Sequence, residues 1–236
     1  MIFRDLNLEK NLIENLESLG YKTLTPIQEN SLKYSLEKKD IIARAKTGSG
    51  KTLAFCLPII NNLDKKKYRV QSLILAPTRE LATQIAQTIR EVLRSTPNIK
   101  VLTLCGGVPY KPQVVSLSHE AHIIVGTAGR VLKHINEGNL KLENINTFVL
   151  DEADKMLDMG FFDDISKVSS LLPKQRQTLL FSATFSNEIK NLALEFLNNP
   201  VNIEVEDEEQ NIIKQVFYEV NSRDLKDNLI EKLIKK

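Results

Sequence analysis

Leu8, Leu12, Ile13, Leu16 and Leu19 recur at the three-and-four spacing of one helix face, and the run stops at Gly20. Thr25-Pro26 then puts a cap residue and a proline where a second helix starts, with Ile27, Leu32 and Leu36 on its inward face. Beyond Lys39 the pattern changes to short apolar runs: DIIA, SLILAP, VLTLC, HIIVG, TFVLD, TLLFSA and VNIEV. Runs of this kind, with little polar alternation, predict strands buried on both faces. Helical periodicity fills most of the gaps, as in TRELATQIAQTIREVLR and SNEIKNLALEFL. Strand and helix in alternation predict an α/β domain, a mostly parallel β-sheet flanked by helices on both faces. In such sheets ligands sit beyond the carboxyl ends of the strands, so the residues that follow each run are the ones to read for chemistry.

The stretch EDEEQN, 206–211, breaks the alternation. It is acidic and follows the last run, and 206–214 reads as a linker after a domain of residues 1–205. QVFYEVN and RDLKDNLIEKLIKK then predict one strand and one helix within 215–236, with no further sheet to join. That is the opening of a second domain.

Composition narrows the class without naming a function. Hydrophobic residues make up 42% and charged residues 26% of 236 residues, which is ordinary for a globular protein with a sizeable core. No apolar stretch reaches membrane-span length, and MIFRDLNLEKN carries no secretory signal, so no membrane partner is expected. Cys56 and Cys105 sit in apolar or small-residue settings with no zinc or disulfide spacing, which predicts buried thiols in the cytoplasm or another reducing intracellular compartment. A net charge of +2 is too small to announce nucleic acid. His119, His122 and His134 lack the spacing of a zinc helix and receive no role.

Three strand ends carry the chemistry. After DIIA comes ARAKTGSGKT, 43–52. Gly48 and Gly50 allow a tight turn whose N–H groups point inward, Lys51 reaches the β- and γ-phosphates, and the Thr52 hydroxyl suits Mg²⁺. The helix that follows aims its N-terminus at the phosphates. A Gly/Ser-rich connecting turn is the alternative, and an intact GKT between strand and helix weighs against it. After TFVL, Asp151 suits the metal and Glu152 the positioning of an attacking water. An acidic helix N-terminus is the alternative there, and the glycine turn on an earlier strand weighs against it. After TLLF, the hydroxyls of Ser182 and Thr184 are placed to hydrogen-bond the acidic loop at Asp154, or else to cap a helix, a task open also to Ser186.

DEAD at 151–154 is followed by KMLDMGF. With AKTGSGKT at 45–52, PTRELA at 77–82 and SAT at 182–184, the chain resembles the first RecA-like domain of a DEAD-box ATP-dependent RNA helicase, a P-loop NTPase fold. The resemblance runs from about Phe3 to the end of the chain, in the family's order. It implies a nucleotide loop of Ala45, Lys46, Thr47, Gly48, Ser49, Gly50, Lys51 and Thr52, with Ala45 where a glycine is usual. It implies an adenine site in GYKTLTPIQ, 20–28, with Gln28 reading the base edge, Tyr21 beside it, and Phe3 stacking on the ring; Leu24 stands where a proline is common. Pro77, Thr78 and Arg79, the Gly106-Gly107 pair, and Thr127, Gly129 and Arg130 resemble the family's RNA-backbone contacts, with Ala128 in place of a proline. Thr78 and Thr127 are also natural helix caps, and Gly106-Gly107 a natural turn.

The resemblance implies ATP and Mg²⁺ as cofactors, sequence-independent RNA backbone contacts, a monomeric protein, and a second RecA-like domain that completes the active site. A chain holding little of that domain is expected to bind adenine nucleotide and hydrolyse it slowly. Two other readings stay open: an ATP-gated RNA clamp without unwinding, and a DNA-directed helicase of a related family. Glu152 beside Asp151 argues against the first, and the adenine motif together with DEAD argues against the second.

Overall fold

The computed structural model describes residues 1–46, 48–205 and 216–234. The two N-terminal apolar periods form α1 (Lys10–Ser18) and α2 (Pro26–Ser35), the latter with Thr25 at its N-cap and Pro26 in its first turn. Strands and helices then alternate: β1 (Ile41–Arg44), α3 (Lys51–Asn61), β2 (Ser72–Leu75), α4 (Arg79–Val92), β3 (Val101–Leu104), α5 (Tyr110–Ser118), β4 (Ile123–Gly126) and α6 (Ala128–Asn136). The series continues with β5 (Thr147–Leu150), α7 (Ala153–Asp158), α8 (Phe162–Leu171), β6 (Gln177–Ser182), α9 (Asn187–Phe196) and β7 (Val201–Glu204). Each of the seven apolar runs is a strand.

Among the described residues these strands make one sheet, order β3-β4-β2-β5-β6-β1-β7, with every pair parallel. The runs lack polar alternation because both faces are covered. In β1, Ile41 and Ala43 join the core on one side and Ile42 the core on the other. In β5, Val149 faces the first core, and Phe148 and Leu150 face the second. Helices α1 to α4 supply the first core, and α5 to α9 the second.

The strand order fixes the working surface. With β1 inserted between β6 and β7, the loops after β5, β6 and β1 lie side by side, and those after β2, β4 and β3 form the other half of the same edge.

One polar anchor holds the β1 side together. Buried Asp40 accepts from Thr178 N (2.8 Å) and Asn198 N (2.7 Å), and its carbonyl accepts from Val201 N (2.9 Å). Asp40→Ala leaves two amides without their acceptor and is expected to cost about 2 kcal/mol in urea unfolding; an unchanged unfolding midpoint would remove Asp40 from this role.

The chain divides into two units, 1–205 and 206–236. The expected linker, 206–214, lies outside the described residues, as does Gln215. In the second unit α10 (Arg223–Ile234) forms as expected, whereas 216–222 form no strand. A strand needs a hydrogen-bonded neighbour, and the described residues give 216–221 none.

Candidate functional site

The glycine turn is shaped by its neighbours. Gly48 (φ 85°) and Gly50 (φ 92°) both lie in the left-handed region that side chains disfavour. A Cβ on Gly50 would stand 2.6 Å from Gln28 Nε2 and 2.9 Å from Thr25 Oγ1. Gln28 is buried, and its carboxamide joins the two segments: Oε1 accepts from Thr25 N (3.0 Å) and Nε2 donates to Gly50 O (3.0 Å). Ala45 N donates to Ser182 O (2.9 Å), fixing the start of the loop to β6. Ser49 Oγ donates to Lys46 O (2.7 Å). Thr47 lies outside the described residues, and Thr52 is half-buried in the first turn of α3.

Lys51 follows directly, at the start of α3. It is 6% exposed, its Nζ lies 3.8 Å from Asp151 Oδ1, and that Nζ has no hydrogen-bond partner. Asp151 directly follows β5, where its N–H donates to Leu75 O (3.0 Å) and its Oδ1 accepts from Glu152 N (3.0 Å). Burial pushes the Asp151 carboxyl up to about 6; Lys51 opposes that rise and the nearby Glu152 carboxylate adds to it. A buried ammonium without a hydrogen-bond partner, facing a carboxylate whose burial disfavours its charge, is a site short of charged ligands. A polyanion with a divalent cation supplies both.

Glu152 takes a left-handed backbone (φ 53°) to start α7 and is buried, with Lys155 Nζ donating to its Oε2 at 2.9 Å. Asp154 reaches across to β6, where its Oδ2 accepts from Ala183 N (3.0 Å) and Thr184 N (3.1 Å). The tie between the acidic loop and SAT is therefore made by backbone amides and not by the hydroxyls predicted from sequence. Ser182 Oγ accepts from Thr184 N (3.3 Å), and the cap of α9 is Ser186, which accepts from Ile189 N (3.4 Å).

The other half of the edge gathers three loops. Thr78 caps α4 through Leu81 N (3.2 Å). Pro77 is buried and Arg79 is exposed, paired with Glu80 at 3.0 Å. A Cβ on Gly107 (φ 72°) would lie 3.7 Å from Arg79 Nη1, so the arginine reaches the glycine turn. Thr127 holds the N-cap position of α6, but its hydroxyl accepts from Gly106 N (3.3 Å) and makes no cap bond. Gly129 is exposed, and Arg130 donates to Val108 O from Nη1 (3.1 Å) and Nη2 (3.2 Å). Guanidinium groups, a glycine turn and hydroxyls at adjoining strand ends make a surface suited to phosphates.

The family model for DEAD/DEAH box helicases matches residues 25–192. The chain belongs to the DEAD/DEAH box helicase family. It is 41% identical over 223 residues to the DEAD-box ATP-dependent RNA helicase CshA of Geobacillus kaustophilus, which takes in 94% of this chain and 48% of that protein. It is 47% identical over 212 residues to the ATP-dependent RNA helicase DbpA of Escherichia coli, covering 89% and 46%. The chain thus spans about half the length of the curated relatives it matches. Among solved structures it superposes on a DEAD box protein from the hyperthermophile Methanococcus jannaschii with a TM-score of 0.82 and 40% identity, over 87% of this chain and 56% of that one. A Saccharomyces cerevisiae Dbp5 variant bound to RNA and ADP BeF3 superposes with a TM-score of 0.79 and 32% identity, over 87% and 52%.

Within this DEAD-box domain the adenine-site candidates lie deeper than the sequence suggests. Phe3 is 2% exposed and belongs to the first hydrophobic core, so stacking on a base would require its ring to leave that packing. Its place in a short 3₁₀ turn packed under α1 and α2 explains the burial. Tyr21 is half-buried against the same core. Gln28 is buried, and both ends of its carboxamide are engaged; Nε2 keeps a second N–H and Oε1 a second lone pair with which to meet a base. Lys155 was not singled out from sequence, although Glu152 and Lys155 stand at the i, i+3 spacing that brings opposite charges together on a helix.

Proposed function

We propose that this DEAD-box domain binds ATP with Mg²⁺ at the loops after β1, β5 and β6, binds RNA backbone at the loops after β2, β3 and β4, and is the first RecA-like half of an ATP-dependent RNA helicase. The observation that carries this reading is the buried Lys51 Nζ, without a hydrogen-bond partner and 3.8 Å from Asp151 Oδ1, at the head of a turn that only glycine satisfies.

Each residue then has a task. The N–H groups of the 45–52 turn and the N-terminus of α3 receive phosphate oxygens. Lys51 neutralises the charge at the terminal phosphates. Thr52 and Asp151 would hold Mg²⁺, Asp151 partly through water, and the ion would supply charge neutralisation at the phosphates. Glu152, fixed by Lys155, orients the attacking water and takes its proton. Asp154 links this acidic loop to the amides of Ala183 and Thr184, so that a displacement at the phosphates reaches β6.

Gln28 ties adenine recognition to the cradle because it already bonds Gly50 O. Gln28→Ala is expected to lower ATP affinity about tenfold, near the lower end of the cost of losing a bidentate base contact, and GTP affinity by less, since both nucleotides lose the tie to Gly50 O. Equal ATP and GTP binding by the unaltered chain, measured by calorimetry, would count against an adenine reader here.

Arginine fingers of comparable phosphoryl transfers contribute roughly 10³ to 10⁵ in rate, and we assign that group to a second RecA-like domain. The 236-residue chain is therefore expected to bind nucleotide and turn it over very slowly. A steady-state ATPase assay with and without single-stranded RNA tests this, and strong stimulation by RNA would show that no second domain is needed. Among the described residues no helix is long and apolar enough to cross a membrane. Cys56 and Cys105 are free and buried, which suits a reducing compartment.

A further inference from the structure

Beneath the Gly106-Gly107 loop lies a buried polar pair to which nothing so far gives a task. Gln113, on α5, is 8% exposed, and His134, on α6, is fully buried. Gln113 Nε2 donates to Cys105 O (3.1 Å), the carbonyl that immediately precedes Gly106, and reaches Pro109 O at 3.5 Å. Two carbonyls face the amide nitrogen, so the other end of the carboxamide, Oε1, must accept. It meets His134 Nε2 at 3.1 Å. The imidazole therefore carries its proton on Nε2 and donates.

The pair is closed on one side. The Tyr110 ring stacks on His134, with centroids 4.4 Å apart and an interplanar angle of 17°. Asn139 Nδ2 donates to the Tyr110 hydroxyl (2.9 Å), and the Arg130 guanidinium lies 5.4 Å from the ring centroid on its way to Val108 O. Every link starts on α6 or the turn after it and ends on α5 or the loop that precedes it. Thr127, whose hydroxyl accepts from Gly106 N, adds one more.

We propose that Gln113 and His134 are positioning residues for RNA binding: they lock the Gly106-Gly107 loop to α6 so that its turn amides and the Arg130 guanidinium face one RNA backbone as a single preset surface. This rests on the reading of those loops as RNA contacts. Neither side chain reaches the surface, so neither touches RNA itself. Two elements that meet one phosphodiester chain must hold their relative placement to within a fraction of an ångström, and a buried two-bond bridge does this where exposed loop contacts do not. A neutral imidazole suits the place. A second ring proton would sit on buried Nδ1, which has no hydrogen-bond partner, and burial, with the charges of Arg130 and Lys133 and against the opposing Glu137 carboxylate, lowers the His134 pKa.

The test uses the 236-residue chain, a labelled single-stranded oligouridylate, and Mg²⁺ with a non-hydrolysable ATP analogue. His134→Phe keeps the ring against Tyr110 and removes the donor; Gln113→Glu keeps the acceptor and removes the donor to Cys105 O. Each is expected to weaken RNA binding about tenfold, the scale of a sub-ångström misplacement, with analogue affinity unchanged. His134→Gln, whose Nε2 can replace the imidazole donor, is expected to recover most of the loss. In an Arg130→Ala background, His134→Phe is expected to add little, because the surface it presets has already lost its arginine.

Unchanged RNA affinity in His134→Phe and Gln113→Glu overturns the proposal. So does a parallel fall in RNA and analogue affinity, or a loss that His134→Gln fails to recover, since each marks a role in general stability. If Arg79→Ala and Arg130→Ala also leave RNA binding unchanged, the RNA assignment of these loops fails and takes the positioning role with it. If those two variants weaken binding and His134→Phe does not, only the positioning role fails.

Discussion

Lys51→Ala is expected to weaken Mg-ATP binding by about 2–5 kcal/mol, the usual cost of deleting one partner of a buried charged contact, or roughly 30-fold to several-thousand-fold. The size follows from where the ammonium sits. It is buried at the start of α3, lacks a hydrogen-bond partner, and has Asp151 Oδ1 at 3.8 Å as its nearest opposite charge. Desolvation of such a group is compensated poorly without a ligand and well with a phosphate. The same reasoning predicts a small effect on folding, because the variant also removes an ammonium whose burial is costly. Calorimetric titration and thermal unfolding of the same preparation separate the two. A variant that stays folded and binds at wild-type affinity would remove Lys51 from the phosphate site.

Gly126→Val is expected to destabilise the domain by about 3 kcal/mol, the upper range for overpacking a filled core. Gly126 ends β4, paired with Leu75 on one side and Leu104 on the other. A Cβ there would stand 2.4 Å from the Leu104 carbonyl oxygen and 2.7 Å from Val131 Cγ2. Intrinsic strand preference favours valine over glycine, so a loss of stability can only be steric. Although β3 is at the sheet edge, it is not free to retreat, because Leu104 O also accepts from Thr127 N at 3.0 Å. Relief would push apart the loops that carry Gly106-Gly107 and Thr127. The stability loss, read from urea unfolding, is therefore expected to come with weaker RNA binding in the fraction that folds. A fully stable Gly126→Val would contradict the close approach of β3 and β4 at this point.

Much of this was legible in the chain. The seven apolar runs became seven strands because a parallel sheet covered on both faces leaves no room for polar alternation, and α4 and α9 followed from period and caps. Gly48, Gly50, Lys51, Asp151 and Glu152 were readable because each motif falls directly after a strand. What the sequence concealed was who holds whom. Asp154 binds amides where hydroxyls seemed the natural partners, since the Ala183 and Thr184 N–H groups leave the strand ladder unpaired just there. Thr127 spends its hydroxyl on a neighbouring loop and leaves its own helix uncapped by it. Phe3 is taken into the core, and the Gln113–His134 bridge joins side chains on two helices that no local period relates. Long-range pairings of this kind depend on strand order, and strand order is a property of the whole sheet.

The central claim is that Lys51 and Asp151 act on one Mg-bound triphosphate. Titrating ATP into the wild-type chain and into Asp151→Asn, each with and without Mg²⁺, tests it directly. Mg²⁺ is expected to strengthen ATP binding in the wild type, and this gain is expected to disappear in Asp151→Asn while metal-free binding through Lys51 persists. An equal gain from Mg²⁺ in both proteins would contradict it.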